Sequence, residues 1–266
     1  MTVQTYQWNA IDYAKSSVIQ QQCARELISK LKLKGNEKLL DIGSGDGKVT
    51  AEIAGCLSNG SVLGIDSSEA MIVLAQNNYS TDNFPNLRFQ QGNASRLTFE
   101  NEFNVVFSNA TLHWILDQRP VLQGIYKSLT HGGKILLQMG GRGNAADVLA
   151  VFDTLIEINE WHDYFQGFTF PYGFYHAEEY RQWLCEAGFQ ENRIELIPKE
   201  AIHQDRTSFE AWIRTTWLPY TQRVPEEKRN TFITRLADEY LQQYSADENG
   251  RVHVHMMRLE VEAVKQ

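Results

Sequence analysis

The residues best suited to binding chemistry form a glycine-rich turn near the start of the chain. Residues 39–47 have the sequence Leu-Leu-Asp-Ile-Gly-Ser-Gly-Asp-Gly, a short apolar segment followed by small residues. Glycines at positions 43 and 45 let a ligand approach the backbone, and a helix that begins after the turn presents unpaired N–H groups. We therefore expect Gly43, Ser44 and Gly45 to bind the carboxylate-bearing end of a small molecule.

Asp66 ends the next apolar segment, residues 61–66, about 20 residues beyond the turn. A carboxylate at that place accepts hydrogen bonds from both hydroxyl groups of a ribose. The glycine turn and Asp66 together predict a nucleoside site. The structural alternatives are a helix N-cap role for Asp66 and a strand-to-helix connection that binds no ligand.

Two residues beside the glycines indicate which nucleoside is favoured. Dinucleotide-binding folds need a third glycine at the position occupied here by Lys48, where it lets the helix close on a pyrophosphate. Asp41, at the start of the turn, repels phosphate oxygens and attracts the ammonium group of an amino acid. The turn therefore favours S-adenosylmethionine over NAD, and an NAD-dependent reductase is the alternative.

Composition restricts the classes of partner. The 266 residues carry a formal net charge of −8, which repels polyanions, so nucleic acid and acidic membrane surfaces are not expected partners. The amino terminus lacks a signal-peptide pattern, and no apolar run approaches the roughly 20 residues of a membrane span, so we expect a cytoplasmic location. Neither three scattered cysteines nor the pair His253 and His255 predicts a metal site. The sequence favours a small-molecule acceptor and leaves the oligomeric state open.

The elements that must position these residues alternate between strands and helices. Five apolar β-type segments are predicted, at residues 38–42, 61–66, 87–92, 104–108 and 134–139. Helical patterns separate most of them, which gives a doubly wound parallel sheet whose ligands bind beyond the carboxyl ends of the strands. Two further strands, at residues 193–203 and 252–264, predict an α/β fold with a Rossmann-like, seven-stranded and mostly parallel sheet.

Helices are predicted before the sheet and in an insertion after its fifth strand. They lie at residues 16–31, 145–165, 176–186, 209–220 and 226–244. We expect residues 1–140 to form the cofactor-binding core with the N-terminal helix. We expect residues 141–266 to form lid helices on the substrate side, together with the strands that complete the same sheet.

An aromatic stretch follows the fifth strand. Its members are Trp161, Tyr164, Phe165, Phe168, Phe170, Tyr172, Phe174 and Tyr175. They form either an apolar lid or the core of the insertion, and the glycines and proline within the stretch favour a lid because they are suited to hinges. Arg142, just past the fifth strand, is either an anchor for a second acidic group or a surface residue.

Further motifs accompany the glycine turn. They are residues 13–20, Tyr-Ala-Lys-Ser-Ser-Val-Ile-Gln, residues 107–118, Phe-Ser-Asn-Ala-Thr-Leu-His-Trp-Ile-Leu-Asp-Gln, and the pairs Trp-His at 161–162 and Pro-Tyr at 171–172. With these motifs the chain resembles the class I S-adenosylmethionine-dependent methyltransferases over approximately residues 13–188. Within that superfamily it is most similar to the trans-aconitate methyltransferases and the juvenile hormone acid O-methyltransferases.

The resemblance implies cofactor-binding roles at the ends of the first four strands. Asp41, Gly43 and Gly45 are expected to line the methionine part of S-adenosylmethionine, and Asp66 to hold its ribose. Either Met71 or Ser67 is expected to flank the adenine.

The third and fourth strands are implied to complete this site. Gly92, Asn93 and Ala94 end the third strand where the family usually carries an acidic residue for the adenine amino group. Here Asn93 takes that place, and its amide carbonyl is able to accept the same hydrogen bond. Asn109, at the end of the fourth strand, is expected to lie beneath the sulfonium.

The resemblance also implies that Gln20 and Trp114 hold the carboxylate of an acid acceptor. An amide NH2 and an indole N–H are neutral donors, which orient a carboxylate and leave it nucleophilic. A carboxylate is ionised near pH 7, so the reaction needs no base, and it releases S-adenosylhomocysteine. His113 is the candidate base for the alternative, C- or N-methylation of a small metabolite, but a lone histidine more often has a structural role, and that is the favoured interpretation. A non-catalytic S-adenosylmethionine-binding protein is the alternative of another class.

Overall fold

The computed structural model describes the backbone from residue 18 to residue 266 and the side chains from residue 24 onward. This part of the chain contains seven strands. They are β1 (Lys38–Ile42), β2 (Ser61–Asp66), β3 (Leu87–Gln91), β4 (Phe103–Asn109), β5 (Leu129–Gly140), β6 (Phe189–His203) and β7 (Val252–Lys265). The described α-helices are α1 (Val18–Lys30), α2 (Lys48–Gly55), α3 (Glu69–Asn78), α4 (Gln118–Ser128), α5 (Ala146–Ile156), α6 (Asn159–His162), α7 (Ala177–Ala187), α8 (Arg206–Thr216), α9 (Leu218–Thr221) and α10 (Glu226–Gln243).

All seven strands belong to one sheet with the order β3-β2-β1-β4-β5-β7-β6. The pairs β1–β2, β2–β3, β1–β4 and β4–β5 are parallel, whereas β5 and β7 are antiparallel. Strand order reverses next to β1, which is the position where open α/β sheets bind ligands beyond the carboxyl ends of their strands. The predicted Rossmann-like, mostly parallel sheet is confirmed.

Each face of the sheet is covered by its own buried cluster. Leu39 packs in a cluster with residues of α1, α2 and α3, whereas Leu40 packs in a second cluster with residues of α4 and α7. Successive side chains of a strand point to opposite faces, so Asp41 shares the α1 face with Leu39. By the same alternation Asn109 and Gln138, two residues beyond Phe107 and Leu136, lie on that face. Polar side chains therefore follow one another at the carboxyl ends of β1, β4 and β5.

Backbone contacts divide the chain into two compact units. The first comprises Gln20–Arg142, Tyr172–Ile197 and Met257–Gln266, and it holds the glycine turn and both clusters on the sheet. The described part of the second comprises Gly143–Pro171 and Pro198–Met256.

Stacked aromatic rings form the interior of the second unit. Phe152 stacks on Tyr220 with ring centroids 4.1 Å apart, and Phe165 stacks on Phe232 at 5.7 Å. Trp161 is buried and meets Phe232 edge-on at 5.1 Å. Trp161 and Phe165 are therefore core residues of this unit, which is the second of the two interpretations that the sequence allows.

The helix predicted over residues 145–165 is wrong in its extent, because the chain breaks between α5 and α6 at Ile158, whose backbone is extended. In a continuous helix Trp161 would lie nine residues after Phe152 and so on the opposite face. The break allows both rings to be buried. The helix predicted over residues 209–220 is likewise interrupted, at Trp217, because Pro219 cannot lie inside a continuous helix without losing a hydrogen bond and clashing with the preceding turn.

The histidines of β7 are paired with carboxylates in this second unit. His253 lies 3.2 Å from an oxygen of Asp247 and 3.1 Å from one of Glu200, and His255 lies 3.0 Å from Asp147. The Asp247 and Glu200 carboxylates raise the pKa of His253. Among the described residues, no three or more His, Cys, Asp or Glu side chains are grouped as a metal site would require.

None of the described helices has the length and apolar character needed to cross a membrane.

Candidate active site

The glycine turn joins β1 to α2 through three residues with left-handed backbone angles. The φ angles are +81° at Gly43, +53° at Gly45 and +84° at Gly47. The N–H groups of Gly43 and Ser44 donate to the carbonyl of Ile65 at 2.7 and 3.0 Å, which ties the turn to the end of β2. The turn is thereby fixed beside Asp66.

Gly43 and Gly45 are glycines for different reasons. A Cβ atom on Gly43 would lie 2.0 Å from Oγ1 of Thr111, whereas one on Gly45 would meet no atom within 4 Å. Thr111 also donates a hydrogen bond to the carbonyl of Gly43 at 3.3 Å. Of these two glycines, only Gly45 leaves open space in which a ligand could approach the backbone, as the sequence predicts. At Gly43 the space is taken by Thr111, which sequence reasoning missed.

Asp66 is held by the turn that it faces. Its Oδ2 accepts from the N–H of Gly45 at 3.0 Å, and its Oδ1 accepts from the N–H of Ser68 at 2.9 Å. Burial raises the pKa of Asp66, and the two N–H groups oppose that shift. A carboxylate offers about four acceptor positions. Asp66 therefore keeps acceptor capacity for two hydroxyl groups of a ligand.

Asp41 is a buried carboxyl group beneath the turn. Its Oδ2 accepts a hydrogen bond from the hydroxyl of Thr50 at 2.7 Å. Burial raises the pKa of Asp41 to about 7, with a contribution from the nearby charge of Asp66 and against the hydrogen bond from Thr50. A cation brought next to Asp41 would favour its ionised form. Thr50, which sequence reasoning also missed, is its hydrogen-bond donor from α2.

The residues expected around an adenine lie at the ends of β2 and β3. Ser67 is exposed, and Met71 is buried on α3. The N–H of Gly92 donates to the carbonyl of Asp66 at 2.9 Å, which aligns the two strand ends. The Asn93 carbonyl accepts from the N–H of Ser95 at 2.8 Å and caps a short helical turn that begins at Ala94, which is buried. That use occupies one lone pair of the Asn93 carbonyl and leaves the other available.

His113 follows the end of β4, in a short helical turn over Leu112–Trp114. Its ring is buried, and Nδ1 accepts from the N–H of Gly140 at 3.4 Å, which leaves the proton of the neutral ring on Nε2. Burial lowers the pKa of His113 to about 3, and the positive charge of Arg258 adds to the effect. The carbonyl of His113 accepts from the N–H of Gly173 at 2.8 Å. These contacts favour a structural role for His113 over that of a base.

Trp114 belongs to a group of rings that we call the aromatic cluster, His113, Trp114, Tyr172 and Phe174. Trp114 meets Tyr172 edge-on with centroids 4.7 Å apart, and Tyr172 stacks on Phe174 at 5.4 Å. The ring of His113 lies 5.7 Å from that of Tyr172. Trp114 and Phe174 are half-buried. The cluster is thus a neutral group of rings, two of which belong to the segment that follows Asn109, the half-buried last residue of β4.

Backbone contacts just past the end of β5 hold the segment that carries Tyr172 and Phe174. The N–H of Arg142 donates to the carbonyl of Tyr175 at 3.0 Å, and Gly141 forms a parallel bridge with the same residue. Arg142 is exposed. The cluster therefore rests on backbone pairing between segments more than 30 residues apart.

Gln20 lies on α1, but its side chain is outside the described part of the chain, so its role stays a prediction.

A sequence model of the methyltransferase domain matches residues 33–188, more than half of the chain. The chain belongs to this methyltransferase family.

Named relatives of the methyltransferase match it over between three fifths and nearly all of its length. The trans-aconitate 2-methyltransferase of Shigella dysenteriae serotype 1 is 26% identical over 255 residues, 95% of this chain and 96% of that protein. The trans-aconitate 2-methyltransferase of Deinococcus radiodurans is 30% identical over 162 residues, 61% of this chain and 59% of that protein. The predicted S-adenosylmethionine-dependent methyltransferase is thereby confirmed.

Solved structures match the fold of the methyltransferase. The YcgJ protein of Bacillus subtilis superimposes with a TM-score of 0.61 at 17% identity, covering 92% of this chain and 99% of that chain. The phosphoethanolamine N-methyltransferase 2 of Haemonchus contortus, in complex with S-adenosyl-L-methionine, gives a TM-score of 0.60 at 18% identity and covers 96% and 56% of the two chains.

S-adenosylmethionine is the cofactor of this methyltransferase family, and the described residues fit it. Ser44 has a buried hydroxyl with no hydrogen-bond partner among the described residues. It lies next to the open backbone of Gly45 and within the turn that binds Asp66. An unsatisfied buried hydroxyl is costly unless a ligand or water bonds to it. The assignment of individual residues to parts of the cofactor stays a prediction.

Proposed function

We propose that this methyltransferase methylates a carboxylate oxygen of a small organic or fatty acid. Relatives whose names specify an acid support the proposal. They include the trans-aconitate 2-methyltransferases and the malonyl-[acyl-carrier protein] O-methyltransferase of Bacillus cereus, which is 28% identical over 147 residues, 54% of each chain.

The observation that carries the proposal is the state of His113. Its Nδ1 is occupied by the N–H of Gly140, and burial holds its pKa at about 3. A general base works best when its pKa lies near the working pH, and this imidazole is far below that range. An amine or carbon acceptor must lose a proton during methylation, whereas a carboxylate is already ionised near pH 7. A site whose candidate base is sealed and neutral therefore favours an acid as acceptor.

The side chains around the site have separable tasks in this proposal. When bound, S-adenosylmethionine supplies an electrophilic methyl group on a sulfonium. Asp66 accepts the ribose hydroxyls, and Asp41 pairs with the ammonium of the amino-acid tail. Trp114, with Gln20, donates neutral hydrogen bonds that orient the acceptor carboxylate without neutralising it. Alignment of the two reactants then provides most of the acceleration.

The aromatic cluster serves the apolar part of the acceptor. Its rings present half-buried faces at Trp114 and Phe174, and Tyr172 between them is almost fully buried. Burial of apolar surface against such rings contributes about 25 cal/mol for each Å² removed from water. The same rings exclude water from the carboxylate, which strengthens its hydrogen bonds.

The proposal is tested by transfer of a labelled methyl group to a panel of carboxylic acids, with Trp114→Phe as the deciding variant. This change keeps a ring but removes the indole N–H. We expect kcat to fall about tenfold or more, while affinity for S-adenosylhomocysteine, measured by calorimetry, changes less than about threefold. Labelled esters that are cleaved by mild base identify the product as a carboxylate ester.

The matched control is Trp183→Phe. Trp183 is also half-buried, but it packs on Tyr175 and Tyr180 on the side of α7. We expect this variant to keep normal turnover. Loss of S-adenosylhomocysteine binding in Trp114→Phe would assign Trp114 to the cofactor instead, and label in amines but in no acid would overturn the carboxylate acceptor.

A further inference from the structure

Strand pairing places a cation at the acceptor end of the sheet. Arg258 of β7 is directly opposite Gly140, the last residue of β5, and Glu260 is opposite Gln138. Directly opposed residues of an antiparallel pair point to the same face. The side chain of Gln138 donates to Glu260 at 2.8 Å, in agreement with that rule. Arg258, two residues before Glu260, therefore lies on the same face at the very end of β5.

That face is the one that carries the cofactor-side polar residues. Asn109 is in register with Gln138, so Asn109, Gln138 and Glu260 form a row across β4, β5 and β7. Arg258 is paired with Gly140, two residues beyond Gln138, and so lies nearer the carboxyl end of β5 than this row. The N–H of Gly140, its strand partner, is the group that bonds to His113. Arg258 is thus brought beside the aromatic cluster.

Electrostatics agrees with this placement. The charge of Arg258 contributes to the lowered pKa of His113, which requires that the guanidinium lie close to the imidazole. Arg258 is half-buried, so its field is screened less than that of a surface charge.

The neighbouring Glu260 is stabilised by other groups. Its carboxylate is fully buried and accepts from Nζ of Lys30 at 2.8 and 3.0 Å, from Arg193 and from Gln138. These donors hold the pKa of Glu260 low despite its burial. The ionised state of Glu260 is therefore supported by the side chains of Lys30, Arg193 and Gln138.

We propose that Arg258 binds a second anionic group of the acceptor and makes the enzyme selective for acids with two acidic groups. This inference rests on the proposed function. A guanidinium binds a carboxylate bidentately and neutralises it strongly, which suits an anchoring group and not the carboxylate that must attack. The attacking carboxylate is oriented by the neutral donors, and Arg258 holds the other end of the molecule. Selectivity is then set by the distance between the two acidic groups.

The test compares acceptors that differ only in the second acid. Straight-chain dicarboxylates of four to ten carbons are assayed with labelled S-adenosylmethionine beside monocarboxylates of the same length. We expect wild type to prefer at least one dicarboxylate about tenfold in kcat/KM, an effect of about 1.4 kcal/mol. In Arg258→Gln that preference is lost, while kcat/KM for the monocarboxylates stays within about threefold of wild type. Arg258→Lys keeps the charge but loses bidentate binding, and we expect an intermediate preference.

Arg142→Gln is the matched control, because Arg142 follows the same strand end but is exposed. It is expected to retain the full preference. Equal loss on both acid classes in Arg258→Gln, or the same effect from Arg142→Gln, would overturn the inference. Calorimetry with S-adenosylhomocysteine checks that each variant is folded. If Arg258→Gln does not bind S-adenosylhomocysteine, the preference for dicarboxylates over monocarboxylates, measured as kcat/KM in Arg258→Lys, tests the inference instead. A wild type that methylates monocarboxylates equally well contradicts only the role of Arg258, whereas one that methylates no acid contradicts the proposed function itself.

Discussion

The two halves of the proposed site differ in the chemical groups that make their contacts. At the ends of β1 and β2 the contacts are made by backbone N–H groups and carboxylates, as where Asp66 accepts from Gly45. At the ends of β4 and β5 they are made by rings and by one imidazole, as where Trp114 meets Tyr172. The first half suits a ligand of fixed chemistry with hydroxyl and ammonium groups. The second half suits an acceptor recognised by shape and by few polar contacts.

The difference also concerns which part of the chain supplies each contact. The cofactor side depends on segments close in sequence, since the turn and Asp66 lie within residues 41–68. The proposed acceptor side depends on residues far apart, since His113 bonds to Gly140 and Gly173. A fold can keep its cofactor side constant while distant segments alter the acceptor side. That arrangement allows one sheet to support many acceptors.

The largest effect is expected from Gly43→Ala. The new methyl group would overlap Thr111 at 2.0 Å, and an alanine at a φ of +81° is strained as well. We expect the free energy of unfolding to fall by about 3 kcal/mol, measured by urea denaturation without ligand.

Gly45→Ala is the comparison variant for this prediction. It has open space, so we expect a loss of only about 1 kcal/mol from its left-handed backbone. Its methyl group instead occupies ligand space, so we expect S-adenosylhomocysteine to bind about tenfold more weakly by calorimetry. Equal destabilisation by the two variants would show that Thr111 does not distinguish these glycines.

The second effect concerns pH and Asp41. Its raised pKa of about 7 means that the free protein holds a proton there below neutrality, and an ammonium ligand requires the ionised form. Affinity for S-adenosylhomocysteine should therefore rise as pH increases from 5.5 to 7, by up to about tenfold per pH unit. Calorimetry over this range, below the pKa of about 8 of an α-amino group, checks it.

Stability of the free protein should change in the opposite direction. A carboxyl whose pKa is raised on folding contributes stability at low pH that is lost as pH rises through about 7. Asp41→Asn should remove both pH dependences and leave the fold intact, because an amide still accepts from Thr50. A pH-dependent affinity that persists in Asp41→Asn would assign it to another group.

The sequence predicts the geometry around the glycine turn well because its signals are local. Strand β1, the turn and Asp66 follow from apolar runs, glycine spacing and a carboxylate at a strand end. The residues that contact them are harder to predict from the sequence. Nothing in the spacing shows that Thr111 fills the space over Gly43, or that Thr50 bonds to Asp41.

The proposed acceptor side is less predictable from the sequence, because the register between paired strands decides which residues meet there. The sequence shows that β7 alternates, yet only its pairing with β5 places Arg258 beside Gly140. The aromatic stretch shows the same limit. Composition does not reveal that Trp161 is buried within the second unit while Tyr172 meets Trp114 in the first. A turn at Ile158 separates α5 from α6, and such breaks are set by which rings must be buried together.

The smallest effect is expected from His113→Asn. An asparagine carbonyl can accept the hydrogen bond that Gly140 gives to Nδ1, so the turn over Leu112–Trp114 keeps its anchor. A general base contributes about 10²- to 10⁴-fold to a rate, and we expect this variant to lose less than about threefold.

The pH profile makes the test of His113 sharper. With its pKa at about 3, His113 does not titrate between pH 5.5 and 8, so the dependence of kcat/KM on pH should have the same shape in wild type and variant. Calorimetry with S-adenosylhomocysteine shows whether the variant is folded. A group titrating near pH 6 to 7 that disappears with His113 would instead make the imidazole a base, and would favour an acceptor that must lose a proton.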